Sequence, residues 1–220
     1  MDKYQETLAS SQVNADDAVV AAEVKKIVEK AGQYANSDVY QFLFSSIDLT
    51  TLSTTDTQTS VAQFVKRVND FDNDYPQFKN VAAICVYSNF AEIVRSNLEV
   101  SGVDIAVVAG GFPSSQTFTE VKVADAALAV AGGANEVDIV MNLGYYLDNN
   151  YAELSDEIIE IKHAIRDAKL KVILETGALK SAEDIKRASI LSLYSEADFI
   201  KTSTGKIYPG ASLEAAWVMC

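Results

Sequence analysis

The sequence predicts an α/β fold of the (β/α) barrel type, and three observations lead there. Short apolar or β-branched runs alternate with longer segments of helical periodicity along most of the 220 residues. That is the pattern of parallel strands joined by right-handed helical crossovers. The strand-like runs are nearly continuous apolar stretches, as expected where both faces of a sheet are covered. The first run leads into "SSIDLTTLSTTDT", which holds no glycine. A doubly wound nucleotide-binding sheet would carry a glycine-rich phosphate turn there.

The elements follow in order. Residues 14–33, "NADDAVVAAEVKKIVEKAGQ", space their apolar positions as an amphipathic helix, with Asp16 and Asp17 near the start where the dipole favours anions. Strands are expected at "VYQFLFSSID" (39–48), "VAAICVY" (81–87), "DIAVVAG" (104–110), "EVDIVMN" (136–142), "KVILE" (171–175) and "ADFIKT" (197–202). Helices are expected near 57–70, 90–101, 117–132, 149–168 and 181–195, with a last one beginning near 211. With no linker composition and only 3 prolines, the chain reads as one domain over 1–220, with 1–38 an N-terminal helical extension. A complete barrel takes eight strands, and six are countable. Two readings stay open: a piece of a longer barrel, or an incomplete barrel that must protect its open edges.

Composition bounds the function. A net charge of −13 argues against non-specific binding to nucleic acid and to anionic membranes. No stretch reaches the roughly 18 uninterrupted apolar residues of a spanning helix, and the opening "MDKYQETLASSQ" has no apolar signal region. These features point to the cytoplasm. The two cysteines, Cys85 in an apolar run and Cys220 at the end, form neither a disulfide framework nor a metal-ligand spacing.

Barrel function gathers at the C-terminal ends of the strands. There the sequence offers Asp48 and Thr50, then Cys85 and Tyr87, "GGFPSS", Asp138, Glu175 and Thr176, and finally Lys201 with "TSTGK". Asp138 lies between Val137 and Ile139 in an otherwise apolar run. It reads either as a structural carboxylate satisfied by backbone or lysine, or as a proton-transfer group whose pKa burial raises. Lys201 follows Phe199 and Ile200. Alone it reads as a lysine reaching for solvent. As a nucleophile it would form Schiff bases, which needs partial neutrality near pH 7 through desolvation or a neighbouring cation. Gly205 and Lys206 in "STGK" suggest a small anion nest. A P-loop is excluded because Ile207 stands where a hydroxyl residue is required. His163 reads as a surface or interhelical residue, and Trp217 as an apolar anchor of the last helix.

Several of these stretches, in this order, resemble the deoxyribose-phosphate aldolases, class I aldolases on a TIM barrel. "ADFIKTSTGK" is similar to the family's active-lysine strand. "IDLTTLSTTDT", "VAAICVYSNF", "GANEVDIVMNLG" and "KVILETGALK" resemble its first, second, fourth and fifth strands, so that the similarity runs over about residues 42–216. The resemblance implies Lys201 as the Schiff-base lysine and Asp138 as the proton relay. It implies Asp48, Thr50, Cys85 and Thr202 near the substrate, and Gly205 and Lys206 in the phosphate site. It implies reversible cleavage of 2-deoxy-D-ribose 5-phosphate to D-glyceraldehyde 3-phosphate and acetaldehyde, in deoxyribonucleoside catabolism. No metal and no organic cofactor are implied; the partner is a phosphorylated sugar, and the open edges suit homo-oligomer formation. Two departures stand out. "GGFPSSQ" replaces a "GFPHG"-like turn. The family's seventh strand, with a "GFKPAGG"-like run that helps activate the lysine and bind phosphate, and its eighth strand have no counterpart. The alternative expectation is therefore a truncated aldolase-like chain, weakly active or inactive, serving in binding or assembly.

Overall fold

The computed structural model describes residues 3–11 and 13–220. Six parallel strands pair strictly in chain order: Asp48–Thr50 (β1), Ala83–Tyr87 (β2), Asp104–Val108 (β3), Glu136–Val140 (β4), Lys169–Ile173 (β5) and Phe199–Lys201 (β6). A doubly wound sheet reverses its strand order at a switch point, whereas sequential order with helical crossovers is the barrel's. The sheet curls without closing. β1 pairs only with β2 and β6 only with β5, yet Lys171 Nζ of β5 lies 2.7 Å and Lys201 Nζ of β6 lies 3.4 Å from the Asp48 carboxylate of β1.

Three helices, Lys3–Ser10 (α1), Asp17–Ala31 (α2) and Ser37–Phe44 (α3), precede β1. Gln58–Asp74 (α4), Ala91–Asn97 (α5) and Thr119–Ala131 (α6) follow β1, β2 and β3. The short Leu143–Leu147 (α7) and the long Tyr151–Ile165 (α8) follow β4, Ala182–Tyr194 (α9) follows β5, and Leu213–Met219 (α10) follows β6. Local chemistry sets several starts. Thr57 and Ser60 form a reciprocal capping box at α4, and the Ser181 side chain accepts from Asp184 N at α9. Asp17 of α2 also accepts from Ala182 N at 2.8 Å, so the N-terminal segment helps cap a barrel helix. Among the described residues no helix is long and apolar enough to cross a membrane.

The strand period of two sorts the side chains. Ile84, Val86, Ile105, Val107, Val137, Ile139, Leu170 and Val172 pack outward into the main core with the helices. The intervening Ala83, Cys85, Ala106 and Val108 form a separate small-residue cluster with Leu52, Tyr87 and Phe112. On β4, β5 and β6 that inward parity is occupied by charge: Glu136 and Asp138, Lys169 and Lys171, and Lys201. β2 and, past Asp104, β3 are therefore apolar on both faces, whereas β4, β5 and β6 carry charge on the inner one.

One strand expectation is corrected. Residues 39–48 are mostly α3, and only Asp48–Thr50 is strand. Val39, Tyr40, Phe42 and Phe44 favour β structure by residue type. Asn36 decides otherwise, since its side chain caps α3 by accepting from Val39 N at 3.1 Å, and Phe44 packs on Phe71 of α4. The strand expected at 171–175 begins two residues earlier, at Lys169. Trp217, expected as an anchor, is 39% exposed.

Candidate active site

Four charged residues, Asp48, Asp138, Lys171 and Lys201, meet inside the curled sheet at the centre of the charge network, with Glu136 beside Lys171. Asp138 is fully buried on β4, in register with Val108 and Lys171. Its Oδ2 accepts a short hydrogen bond from Lys201 Nζ. Its Oδ1 has no hydrogen-bond partner among the described residues, with Lys171 Nζ 3.7 Å away. Lys171 also pairs with Glu136 and Asp48. A cleft of about 590 Å³, lined by Asp48, Thr50, Glu136, Lys171, Phe199 and Lys201 among others, reaches this cluster.

Burial and charge compete at every member. Burial pushes the Asp138 carboxyl above the usual range, and the two lysines pull it only part of the way back. Burial would lower Lys201, but the charge and hydrogen bond of Asp138 outweigh it and leave the ammonium above its ordinary pKa. The partial neutrality that a Schiff-base nucleophile needs is thus opposed by Asp138. The desolvation and the neighbouring cation, Lys171, are both present, and a contacting carboxylate overrides them. Lys171 is likewise raised by Asp138, Asp48 and Glu136 against the effect of burial. Asp48 is opposed by its own burial, yet its lysine partners hold it below the carboxylate norm. Burial, then the Asp138 charge, push the Cys85 thiol up to about 12, so it stays protonated at neutral pH.

The remaining expected residues lie farther along the mouth. Thr50 is exposed, and its hydroxyl turns back to donate to Asp48 O at 2.8 Å. Thr202 carries the backbone on from Lys201, its carbonyl accepting from Thr176 N. In the loop beyond, Gly205 has φ +71, and a side chain there would meet nothing within 4 Å, so it borders open space. Lys206 Nζ donates to Leu52 O at 2.6 Å, tying the loop after β6 to the loop after β1. The loop's far end is pinned where Pro209 lies so close to Gly177 that a Cβ would stand 2.6 Å from the Pro209 carbonyl oxygen. The structure thus joins Asp138, Lys201 and Asp48, with Cys85 close enough to feel their charges. Thr50, Gly205 and Lys206 stand apart from that contact.

Sequence reasoning missed Lys171 and Glu136, although the signal for both was available. In "KLK" (169–171) and "EVD" (136–138) a charged residue recurs at every second position, the parity of the inner face. Glu175, read from the sequence as a polar residue at the end of the fifth strand, is buried in a left-handed conformation just past β5, where it accepts from Thr204 N and Oγ1.

An unclosed parallel α/β sheet with its charged residues gathered inside the strands falls in the class of barrel enzymes. Comparison with known proteins narrows the class. The profile of the DeoC/LacD family aldolases matches residues 42–220, and the chain belongs to that family. A Caenorhabditis elegans protein provisionally named a deoxyribose-phosphate aldolase is 39% identical over 93% of this chain and 68% of its own length. The deoxyribose-phosphate aldolase of Bos taurus is 37% identical over 79% of this chain, which spans 58% of the bovine protein. Among solved structures, the deoxyribose phosphate aldolase of Aeropyrum pernix, described as a tetramer, superposes with a TM-score of 0.67. It is 27% identical and is matched over 81% of this chain and 71% of its own.

Proposed function

We propose that the protein is a class I aldolase that reversibly cleaves 2-deoxy-D-ribose 5-phosphate to D-glyceraldehyde 3-phosphate and acetaldehyde through a Schiff base on Lys201. The observation that carries the reading is the contact of Lys201 with a buried carboxylate whose second oxygen is unpartnered. Because burial raises Asp138, the proton can move from Lys201 to Asp138 across the short hydrogen bond. A neutral amine and a carboxylic acid then stand side by side. The amine attacks the C1 carbonyl of the open-chain sugar. The carbinolamine hydroxyl leaves as water with the proton returned by Asp138, giving an iminium. Loss of the C3 hydroxyl proton breaks the C2–C3 bond, releases D-glyceraldehyde 3-phosphate and leaves an enamine on Lys201. Protonation of the enamine at C2 and hydrolysis release acetaldehyde and restore the lysine. Oδ1 of Asp138 is free to hold the water that carries these protons.

Lys171 is the cation nearest the pair and opposes protonation of Lys201. Gly205, Lys206 and Thr202 stand at the mouth, where the phosphate end of the sugar would lie. The same reading puts the protein in the cytoplasm, in deoxyribonucleoside breakdown, and self-association is in keeping with the tetramer of the Aeropyrum pernix relative.

A second reading, an aldolase-like protein that binds or assembles without turnover, is favoured by the raised Lys201, which stays protonated unless Asp138 takes its proton. One experiment separates the two. The chain is incubated with acetaldehyde or deoxyribose 5-phosphate, reduced with borohydride and mapped by peptide mass. An adduct on Lys201 is expected. Label elsewhere, or none, refutes the Schiff-base mechanism.

A further inference from the structure

Glu175 is buried to 1% exposure at the barrel mouth and takes no part in the chemistry above. A carboxylate beside a loop that receives an anion would repel it, and burying one is costly unless its oxygens are satisfied. Both are. Oε1 accepts from Thr204 N at 3.1 Å and Oε2 from Thr204 Oγ1 at 2.5 Å. The backbone of Glu175 sits at φ 53 and ψ 56, a left-handed conformation that a side chain of this size adopts only under constraint. The order then passes down the loop. Thr204 Oγ1 accepts from Lys206 N at 3.2 Å, and Lys206 reaches across to Leu52 O. Around this scaffold some donors are left over. The backbone N–H groups of Ser203 and Gly205 have no acceptor among the described residues, and the buried Ser203 hydroxyl has no partner. Gly205 opens onto free space.

We propose that Glu175 is a positioning residue for the loop of Ser203, Gly205 and Lys206, which on the aldolase reading receives the phosphate end of the sugar. By engaging both donors of Thr204, Glu175 fixes the loop in a shape that turns its two neighbours' N–H groups outward. Its two oxygens are turned onto these donors and are not presented to the ligand. The identity of the ligand rests on the aldolase reading; the role of Glu175 rests on the loop geometry.

The test is calorimetric titration of the full chain with inorganic phosphate, alongside thermal melting. Saturable binding is expected for the unaltered protein. Loss of a charge-assisted hydrogen bond predicts affinity lower by about tenfold in Glu175→Ala. Glu175→Gln, which keeps the shape and one acceptor, falls in between. Thr204→Val, which leaves the carboxylate in place and removes its hydroxyl donor, weakens binding like Glu175→Ala, and the double variant is no weaker than either single one. Should Glu175→Ala fail to fold, Glu175→Gln and Thr204→Val decide the matter. The proposal is overturned by absence of saturable phosphate binding, or by variants that bind as tightly as the parent. It is overturned equally by tighter binding in Glu175→Gln, which would make the carboxylate a mere repulsive neighbour. The titration is blind to adduct formation at Lys201, so a failure here and a failure of the aldolase chemistry are separately visible.

Discussion

Two of the lysine–carboxylate pairs make an instructive contrast: each has a buried carboxylate, but Lys122 is buried where Lys201 is partly exposed, and the two differ in unused bonding capacity. Between α6 and α8, Lys122 is 1% exposed and donates to Glu157 Oε1 at 2.7 Å and to Ser115 Oγ at 2.8 Å. The second oxygen of Glu157 accepts from Thr119 Oγ1 at 3.0 Å. Every oxygen of that pair is used, and it holds the loop after β3 to two helices. The Lys201–Asp138 pair leaves Asp138 Oδ1 unpartnered and opens onto a cleft. On the aldolase reading, vacant bonding capacity with a route to it, and not burial, distinguishes the Lys201–Asp138 pair. A saturated pair can contribute only to stability or specificity of folding, while an unsaturated one has something left to offer a substrate.

The largest expected effect breaks this comparison from the reactive side. Lys201→Met is expected to abolish borohydride-trapped adduct entirely while leaving a folded protein. Asp138 retains Lys171 as a neighbour at 3.7 Å, so its carboxylate is not stranded. Residual adduct on another lysine, seen by peptide mass, would put the nucleophile elsewhere.

Lys122→Met tests the other side. Removing one partner strands a buried carboxylate at a cost of ~3–5 kcal/mol, read as a fall in Tm on the order of 10 °C. Lys201 in the surviving folded protein should still be trapped. Replacing both partners, Lys122→Met with Glu157→Leu, is expected to recover much of the loss, since an apolar pair avoids the desolvation penalty. Recovery should be incomplete because the Ser115 hydroxyl loses its donor. A double variant no more stable than Lys122→Met would show that the pair is not acting as a unit.

The contrast also separates what the sequence disclosed from what it hid. The strands β2, β3 and β4 were legible because Ile84, Val107 and Ile139 sit in apolar runs that are continuous but for Asp138. β1 was misplaced because Val39, Tyr40 and Phe42 look like strand residues and the deciding group, the Asn36 cap, is a single side chain. Lys201 and Asp138 were legible as odd polar residues in apolar strands. Lys171 was passed over because a lysine near a strand start reads as a solvated end, and only the curl of the sheet brings it to Asp48 across 123 residues of sequence. The Lys122–Glu157 pair was invisible for a similar reason: each residue falls at an ordinary helical position, and only packing of α6 on α8 closes solvent out.

A smaller effect sharpens the role of Lys171. Its charge lowers the pKa of Lys201 while Asp138 raises it. Adduct formation needs the neutral amine, so its rate should climb with pH toward the pKa of Lys201. Removing the cation in Lys171→Met raises that pKa further, which moves the rising limb to higher pH and slows trapping at pH 7. Lys171→Arg retains the charge and should leave the limb nearly in place. Equal profiles for Lys171→Met and the parent would show that Lys171 does not tune Lys201. A limb displaced to lower pH would reverse the sign argued here.

The smallest effect concerns the thiol that watches the reactive pair. Cys85 lies among Ala83, Ala106 and Val108 on the inner face, and its pKa near 12 has burial as the larger cause and the Asp138 charge as the next. Iodoacetamide at pH 8 should therefore modify the exposed Cys220 and spare Cys85. Asp138→Asn removes the second cause and leaves the first, so Cys85 labelling should increase only slightly, measured as the ratio of the two modified peptides. A large increase would mean that the carboxylate, and not the apolar wall, keeps this thiol inert. The interior around Asp138 would then behave as a wet, charge-governed site, and the raised carboxyl on which the proton transfer depends would lose its cause.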